Sequence, residues 1–210
     1  MNTALYFGSF NPIHLGHTAL AAYVIKQMNF DELWFVVSPN NPLKDANTLL
    51  DEKTRLNMVS LAIADAVNDG CIEALRMKAC DVEFTMTKPS YTCDTLKHLS
   101  ALFPDNKFSL IIGSDNLTIF HQWREYQYIL DNFRIVVYPR QNDNISELKA
   151  KYPNVVILDG APLFNISSTE IRNKKSTGQD YSDLLSSSVG KCFAATRSAS
   201  VPTRDIRKES

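Results

Sequence analysis

The feature that most narrows the folds open to this chain is an alternation. Nearly unbroken apolar runs of strand length recur at Ala4–Phe7 (ALYF), Leu33–Val37 (LWFVV), Phe108–Gly113 (FSLIIG), Phe133–Tyr138 (FRIVVY) and Val155–Leu158 (VVIL). Between them lie helix-like stretches: His17–Met28, Glu52–Val67, Ser90–Phe103 and the run WREYQYILD. A strand that is apolar at successive positions is buried on both faces, which is the pattern of parallel strands covered by helices on each side. The expected fold is therefore α/β, a Rossmann-like doubly wound parallel sheet. Ile72–Leu75 and Val82–Thr85 also look strand-like, and Ser167–Lys175 reads as the capped start of a further helix. A length of 210 residues suits one domain with a substantial core. Residues 176–210 are rich in Ser and Thr with little apolar periodicity, so the domain is expected to span 1–175, followed by a loosely ordered segment.

Charge and cysteine content exclude several function classes. The 22 Lys and Arg nearly balance 23 Asp and Glu. Nothing in that balance calls for nucleic acid or an anionic membrane. Cys71, Cys80, Cys93 and Cys192 form no C-x-x-C pair and lack zinc-ligand spacing, so reduced cysteines in a cytoplasmic protein are expected. The start of the chain carries no signal-peptide pattern, and no run approaches membrane-span length. A homo-oligomer is compatible with the sequence.

In a doubly wound sheet, ligands sit beyond the carboxyl ends of the strands. The stretch after the first strand, GSFNPIHLGH (Gly8–His17), falls there, and it holds two of the chain's four histidines. A glycine loop leading into a helix N-terminus suits an anion, because the first helical N–H groups are unpaired and the helix dipole is positive there. The loop fits neither the G-x-G-x-x-G fingerprint nor a P-loop. His17 is expected to open the helix with His14 just before it. Both imidazoles can face one anion, as imidazolium or as neutral N–H donors. In ISSTEIR (Ile166–Arg172), Ser167 or Ser168 caps a helix start with Thr169 in its first turn and Arg172 within a turn.

GSFNPIHLGH closely resembles the G-x-F-x-P-x-H-x-G-H signature of the nucleotidyltransferase superfamily, and ISSTEIR resembles its second signature. SPNNPLKD, PSYTCDTL and IIGSDNLTIFHQW narrow the likeness to bacterial nicotinate-nucleotide adenylyltransferases, from Leu5 to about Lys175. The resemblance implies a sheet of the nucleotidyltransferase type. It implies adenylyl transfer from ATP to nicotinate mononucleotide, giving nicotinate adenine dinucleotide and pyrophosphate in NAD biosynthesis. Mg2+ would be carried by the ATP phosphates, with no protein side chain as metal ligand.

By the same resemblance, Gly8, Ser9 and Phe10 contact nucleotide phosphate through the backbone, and His14, His17 and Arg172 are catalytic. Gly113, Asp115, Arg140, Ser167, Ser168 and Thr169 complete the ATP site. Lys44, Arg55, Thr92 and Trp123 bind nicotinate mononucleotide, with Thr92 on the carboxylate and Trp123 stacked on the ring. Read without the resemblance, Lys44 is a solvated loop lysine, Arg55 a helix-surface ion pair, Thr92 a cap and Trp123 a core residue. Asp115 suits ribose hydroxyls or a helix N-cap. Two rival functions remain: transfer to another phosphate acceptor such as nicotinamide mononucleotide, and nucleotide binding without catalysis. Two departures stand out. Arg124 follows Trp123 where relatives often carry an aromatic, and SDLLSSSVGKCFAATRSAS lacks the apolar helix and closing aromatic with which relatives end.

Overall fold

Six strands form one all-parallel sheet in the order β3-β2-β1-β4-β5-β6 in the computed structural model. The described residues are 1–39, 49–140, 143–158, 160–161 and 165–196. The strands are β1 (Asn2–Gly8), β2 (Glu32–Val37), β3 (Met77–Cys80), β4 (Lys107–Gly113), β5 (Arg134–Tyr138) and β6 (Val156–Ile157). The chain runs outward from β1 to β3 and then returns to lay β4 on the other side of β1. That reversal is the switch point at which such sheets open a crevice.

The apolar runs are buried on both faces, as their composition requires. Ala4, Tyr6, Phe35, Val37, Ile111 and Val136 face one core. Their neighbours Leu5, Trp34, Val36, Leu110, Ile112 and Val137 face the other. Alternate side chains on a strand point to opposite sides, so one sheet feeds two cores. Helices α1 (Leu15–Met28) and α2 (Glu52–Asn68) cover the first face, and α3 (Thr92–Leu102) and α5 (Tyr126–Asn132) pack on the second. The short helices α4 (Ser114–Thr118), α6 (Ile145–Lys151) and α7 (Ser168–Ser176) complete the turns to and from the strands. Full burial of a side chain such as Phe35 or Leu110 contributes roughly 1.5–3 kcal/mol.

Three expectations are corrected. Helix α1 begins at Leu15 with His14 as its N-cap, two residues before the expected start. Ile72–Arg76 and Val82–Thr85 are 3₁₀ turns, and the edge strand β3 lies between them. Their β-branched and aromatic content imitates strands, yet Ala74 and Phe84 donate locally to the carbonyls of Cys71 and Asp81. The segment after 175 is not loosely ordered through 196. Helix α8 (Ser187–Ala195) packs on α2, with Leu185, Val189 and Phe193 buried in the first core. Asp65 of α2 accepts the Ser188 N–H (2.8 Å) and hydroxyl (2.7 Å) at one end of α8. At the other end, Lys175 of α7 donates to the Thr196 carbonyl (2.7 Å). The packed unit thus runs past 175, and Phe193 supplies a closing aromatic.

Candidate active site

The turn from β1 into α1 is shaped by one ring. A Cβ placed on Gly8 would come within 2.7 Å of Phe10 Cζ, so only glycine lets that ring lie against the strand end. Phe10 itself has φ 44°, an unusual value for a bulky residue. Burial holds it there: its ring is 2% exposed and meets Tyr6, Phe35 and His17 edge-on.

Side chains from two distant helices fasten the carbonyls of this turn. Arg55 of α2 donates to Ser9 O (2.6 Å), Arg172 of α7 to Asn11 O (2.8 Å), and the Ser168 hydroxyl to Pro12 O (2.9 Å). The Leu50 N–H donates to Asn11 Oδ1. In a trans peptide unit, C=O and the following N–H point in opposite directions. The Phe10 N–H therefore faces away from Arg55, and the Ile13 N–H faces away from Ser168. The loop carbonyls are bound outward and these amides are turned the other way.

The two imidazoles are stacked, with centroids 3.7 Å apart and planes at 28°. The His14 backbone N–H donates to His17 Nδ1 at 3.2 Å. His17 Nδ1 is thus an acceptor, and the neutral ring carries its proton on Nε2 as a donor. His14 is 7% exposed. Burial, with the nearby Arg140 guanidinium adding to it, lowers its pKa to about 4. In the free protein His14 is therefore neutral at physiological pH, and its buried Nδ1 meets no partner among the described residues. An arriving anion reverses both pressures by favouring the charged form.

The second signature meets the first. Ser167 is the N-cap of α7 and accepts the Glu170 N–H (3.1 Å), which leaves Ser168 for Pro12 and resolves the choice between the two serines. Arg172 also donates to Thr169 Oγ1 (3.1 Å), so Thr169, Arg172 and the α7 N-terminus lie together beside the β1–α1 turn.

Across the switch point, Asp115 folds over the end of β4. A Cβ on Gly113 would lie 2.2 Å from Asp115 Oδ1. Asp115 sits 3.7 Å from Arg140 Nε, and Arg140 donates to Tyr138 Oη (3.2 Å) while lying over that ring. Asp115 is not an N-cap: Gly113 holds that position of α4 without a side-chain cap. The buried Ser114 hydroxyl accepts the Arg140 N–H (2.7 Å) and donates to Asp143, tying the ends of β4 and β5 together.

A further corner forms at the start of α3. Tyr91 is its N-cap and supplies no side-chain bond, and Thr92 is the first helical residue. Arg124 binds this end, 3.2 Å from Asp94 Oδ2 and over the Tyr91 ring. Trp123 packs against Phe120, and its buried Nε1 meets no partner among the described residues. Arg124 was not singled out for this role from sequence, where it stood only as a departure from relatives.

Arg55 is corrected outright. It is 1% exposed, and its guanidinium is committed to four backbone carbonyls: Leu50, Ser9, Ser38 and Pro39. It is neither a surface ion pair nor a ligand contact. Lys44 lies outside the described residues. Among those residues, the one group with metal-ligand spacing is Cys93, Asp94 and Glu125. Its carboxylates already pair with Arg124 and Lys97. Asp115, beside the histidine loop, is held by Arg140. No helix among the described residues is long and apolar enough to cross a membrane.

Comparison with known proteins agrees with this fold. The sequence profile of the cytidylyltransferase-like family matches residues 5–174. A probable nicotinate-nucleotide adenylyltransferase of Flavobacterium johnsoniae is 44% identical over 186 residues, covering 88% of this chain and 92% of the relative. One from Bacteroides fragilis is 41% identical, covering 90% and 89%. Among solved structures, the Plasmodium falciparum nicotinic acid mononucleotide adenylyltransferase complexed with NaAD superposes with a TM-score of 0.79 at 22% identity, covering 91% of this chain and 94% of that one. That last likeness concerns the fold.

Proposed function

The chain belongs to the nicotinate-nucleotide adenylyltransferases of the cytidylyltransferase-like family, and on that premise we propose that it moves the adenylyl group of ATP onto nicotinate mononucleotide, forming nicotinate adenine dinucleotide and pyrophosphate for NAD synthesis. The observation that carries this reading is the meeting of the stacked His14–His17 pair with the N-terminus of α7 through Arg172 and Ser168. This joins residues from both ends of the fold into one anion-binding corner at the switch point.

The chemistry asks for alignment and charge neutralisation. The attacking group is a phosphate monoester with a second pKa of about 6, so it is ionised at neutral pH and needs no general base. The α-phosphate lies on the amides of Phe10 and Ile13 and on His17 Nε2–H, with Gly8 and Ser9 closing backbone around it. His14, neutral in the free protein, gains a reason to hold a proton once the phosphates arrive. The β- and γ-phosphates rest on the α7 N-terminus with Ser168, Thr169 and Arg172, and these groups stabilise pyrophosphate as it departs. A magnesium ion carried on the ATP phosphates would supply further neutralisation of their charge, beside the donors of Thr169, Arg172 and the α7 N-terminus. Asp115 and Arg140 serve the nucleoside half. Thr92, at the open start of α3, takes the nicotinate carboxylate, Trp123 the pyridine face, and Lys44 the mononucleotide phosphate. The protein acts in the cytoplasm, where ATP is available.

The experiment is pyrophosphate release with MgATP and either nicotinate or nicotinamide mononucleotide. Preference for the acid supports the full reading. Preference for the amide keeps the transfer chemistry and rejects the carboxylate site at Thr92. Nucleotide binding without turnover on either would reject catalysis.

A further inference from the structure

Helix α3 begins without a capping side chain. Its N-cap, Tyr91, gives no side-chain bond, and the first N–H groups to find a backbone acceptor are those of Asp94 and Thr95, both on Tyr91 O. No acceptor among the described residues meets the N–H of Thr92 or Cys93. An uncapped helix start of this kind frays unless something fixes the angle at which the chain enters it. Helices usually do this with an apolar contact between the residue before the cap and the fourth helical residue. Here those positions are Ser90 and Thr95, and both are hydroxyl residues.

A single buried carboxyl joins them. Glu83 is 2% exposed, and its two oxygens divide the work: Oε2 accepts the Ser90 hydroxyl and Oε1 the Thr95 hydroxyl, each at 2.8 Å. Thr95 is itself fully buried and also reaches Tyr91 O at 3.2 Å. Glu83 comes from the 3₁₀ turn after β3, and the Met86 N–H returns to its carbonyl. The carboxyl therefore sits inside the bend that carries the chain from the sheet edge into α3, and it holds both flanks of Tyr91–Thr92.

We propose that Glu83 is a positioning residue for acceptor recognition, a polar staple that bonds Ser90 and Thr95 so that the N–H of Thr92, at the start of α3, is aimed at the carboxylate of a pyridine mononucleotide. This rests on the acceptor assignment made above. It adds that selectivity for the acid is set by a buried group that never touches substrate. Among the described residues, the Glu83 carboxyl bonds Ser90 and Thr95 and not the histidine loop or Arg172, so its effect is expected on the acceptor and not on ATP.

The test compares Glu83→Gln, Glu83→Ala, Thr95→Val and Ser90→Ala with the wild type. KM is measured for ATP and for nicotinate mononucleotide, along with kcat, the acid-to-amide preference and the melting temperature. Losing one such hydrogen bond corresponds to roughly a three- to tenfold effect. Thr95→Val is expected to raise the KM for nicotinate mononucleotide by about that factor, Glu83→Ala by more, and Glu83→Gln by less, because the amide still accepts one hydroxyl. The ATP KM should stay within about twofold, and the acid preference should fall in step. Should Glu83→Ala fail to fold, the Thr95→Val and Ser90→Ala pair carries the same comparison. Equal changes in both KM values, or a lowered melting temperature with unchanged acid preference, would reduce Glu83 to a structural residue and overturn the proposal. A wild type without turnover on nicotinate mononucleotide would overturn the acceptor assignment, and this inference with it.

Discussion

Removing the Arg55 side chain should damage the protein through its stability first. The guanidinium is 1% exposed and makes four hydrogen bonds of 2.6–3.0 Å to carbonyls from three separate segments. Those segments are the β1–α1 turn, the end of β2 and the residues leading into α2. Arg55→Met keeps much of the volume and leaves the carbonyls without donors. Each buried carbonyl left unpaired costs about 1–3 kcal/mol. Against that, the variant no longer buries a charge, an offset of several kcal/mol. The net expectation is a loss of roughly 3–5 kcal/mol, a large share of the 5–15 kcal/mol that holds a domain together. In a chain of this size the midpoint of thermal unfolding falls by roughly 10 °C. Urea unfolding with the slope m held constant measures the loss directly. Arg55→Lys should recover part of it, since three ammonium donors reach some of the four carbonyls. A loss below about 1 kcal/mol, with the whole defect in KM for nicotinate mononucleotide, would refute this reasoning and return Arg55 to the ligand.

The remaining predictions concern the histidines and the C-terminal helix. His14 should titrate near 4 in the free protein by NMR, and pyrophosphate should raise that value; a free value near 6.5 would contradict its burial. Because the unfolded ring titrates near 6.5, the unfolded chain binds the extra proton between those values, so stability falls as pH drops through that window. The expected loss is about 2 kcal/mol between pH 7 and pH 5, and His14→Asn should flatten that part of the pH dependence. His17→Ala should lower kcat by roughly 10²–10³-fold with a much smaller change in ATP affinity, and near-normal turnover would remove His17 from the transition state. Phe193→Ala should cost about 3–5 kcal/mol in urea unfolding, and a change under 1 kcal/mol would mean that α8 does not close the core.

What was legible in the sequence was local or periodic. The double-faced strands announced the parallel sheet because burial on both sides leaves no polar alternation. The histidine loop was legible because a strand, a glycine turn and a helix start lie within about a dozen consecutive residues. Helix α8 was hidden for the opposite reason. Its buried stripe is one residue per turn, Val189 and Phe193 continuing from Leu185 just before the helix, set among serines, and its end bonds come from Asp65 and Lys175. Arg55 was misread because a lone arginine on an amphipathic helix looks like a surface charge until the carbonyls that surround it are brought in by the sheet. The Ile72 and Val82 turns were misread because apolar content alone does not distinguish a strand from a 3₁₀ turn at a sheet edge.

The same contrast separates the groups proposed to meet substrate from those that hold them. His14, His17, Thr169 and Arg172 sit in short motifs, since an anion site needs several donors within one turn of chain. Their supports come from elsewhere: Arg55 reaches Ser9 from 46 residues away and Arg172 reaches Asn11 from 161. A support of this kind leaves no pattern in its own neighbourhood, because it needs only a donor of the right length at the right point in space. Arg172 belongs to both classes. One side of its guanidinium is bound to the first loop, and the rest stays at the α7 N-terminus where the departing pyrophosphate would lie. A lysine there offers a point charge in place of the planar fork, so it cannot reproduce both tasks. Arg172→Lys should therefore lower kcat and also loosen the histidine loop, seen as faster amide exchange at Ile13 and His14. If kcat falls while exchange stays at the wild-type rate, the bond to Asn11 is not what holds the loop, and the corner is kept in shape by Ser168 and Arg55 alone.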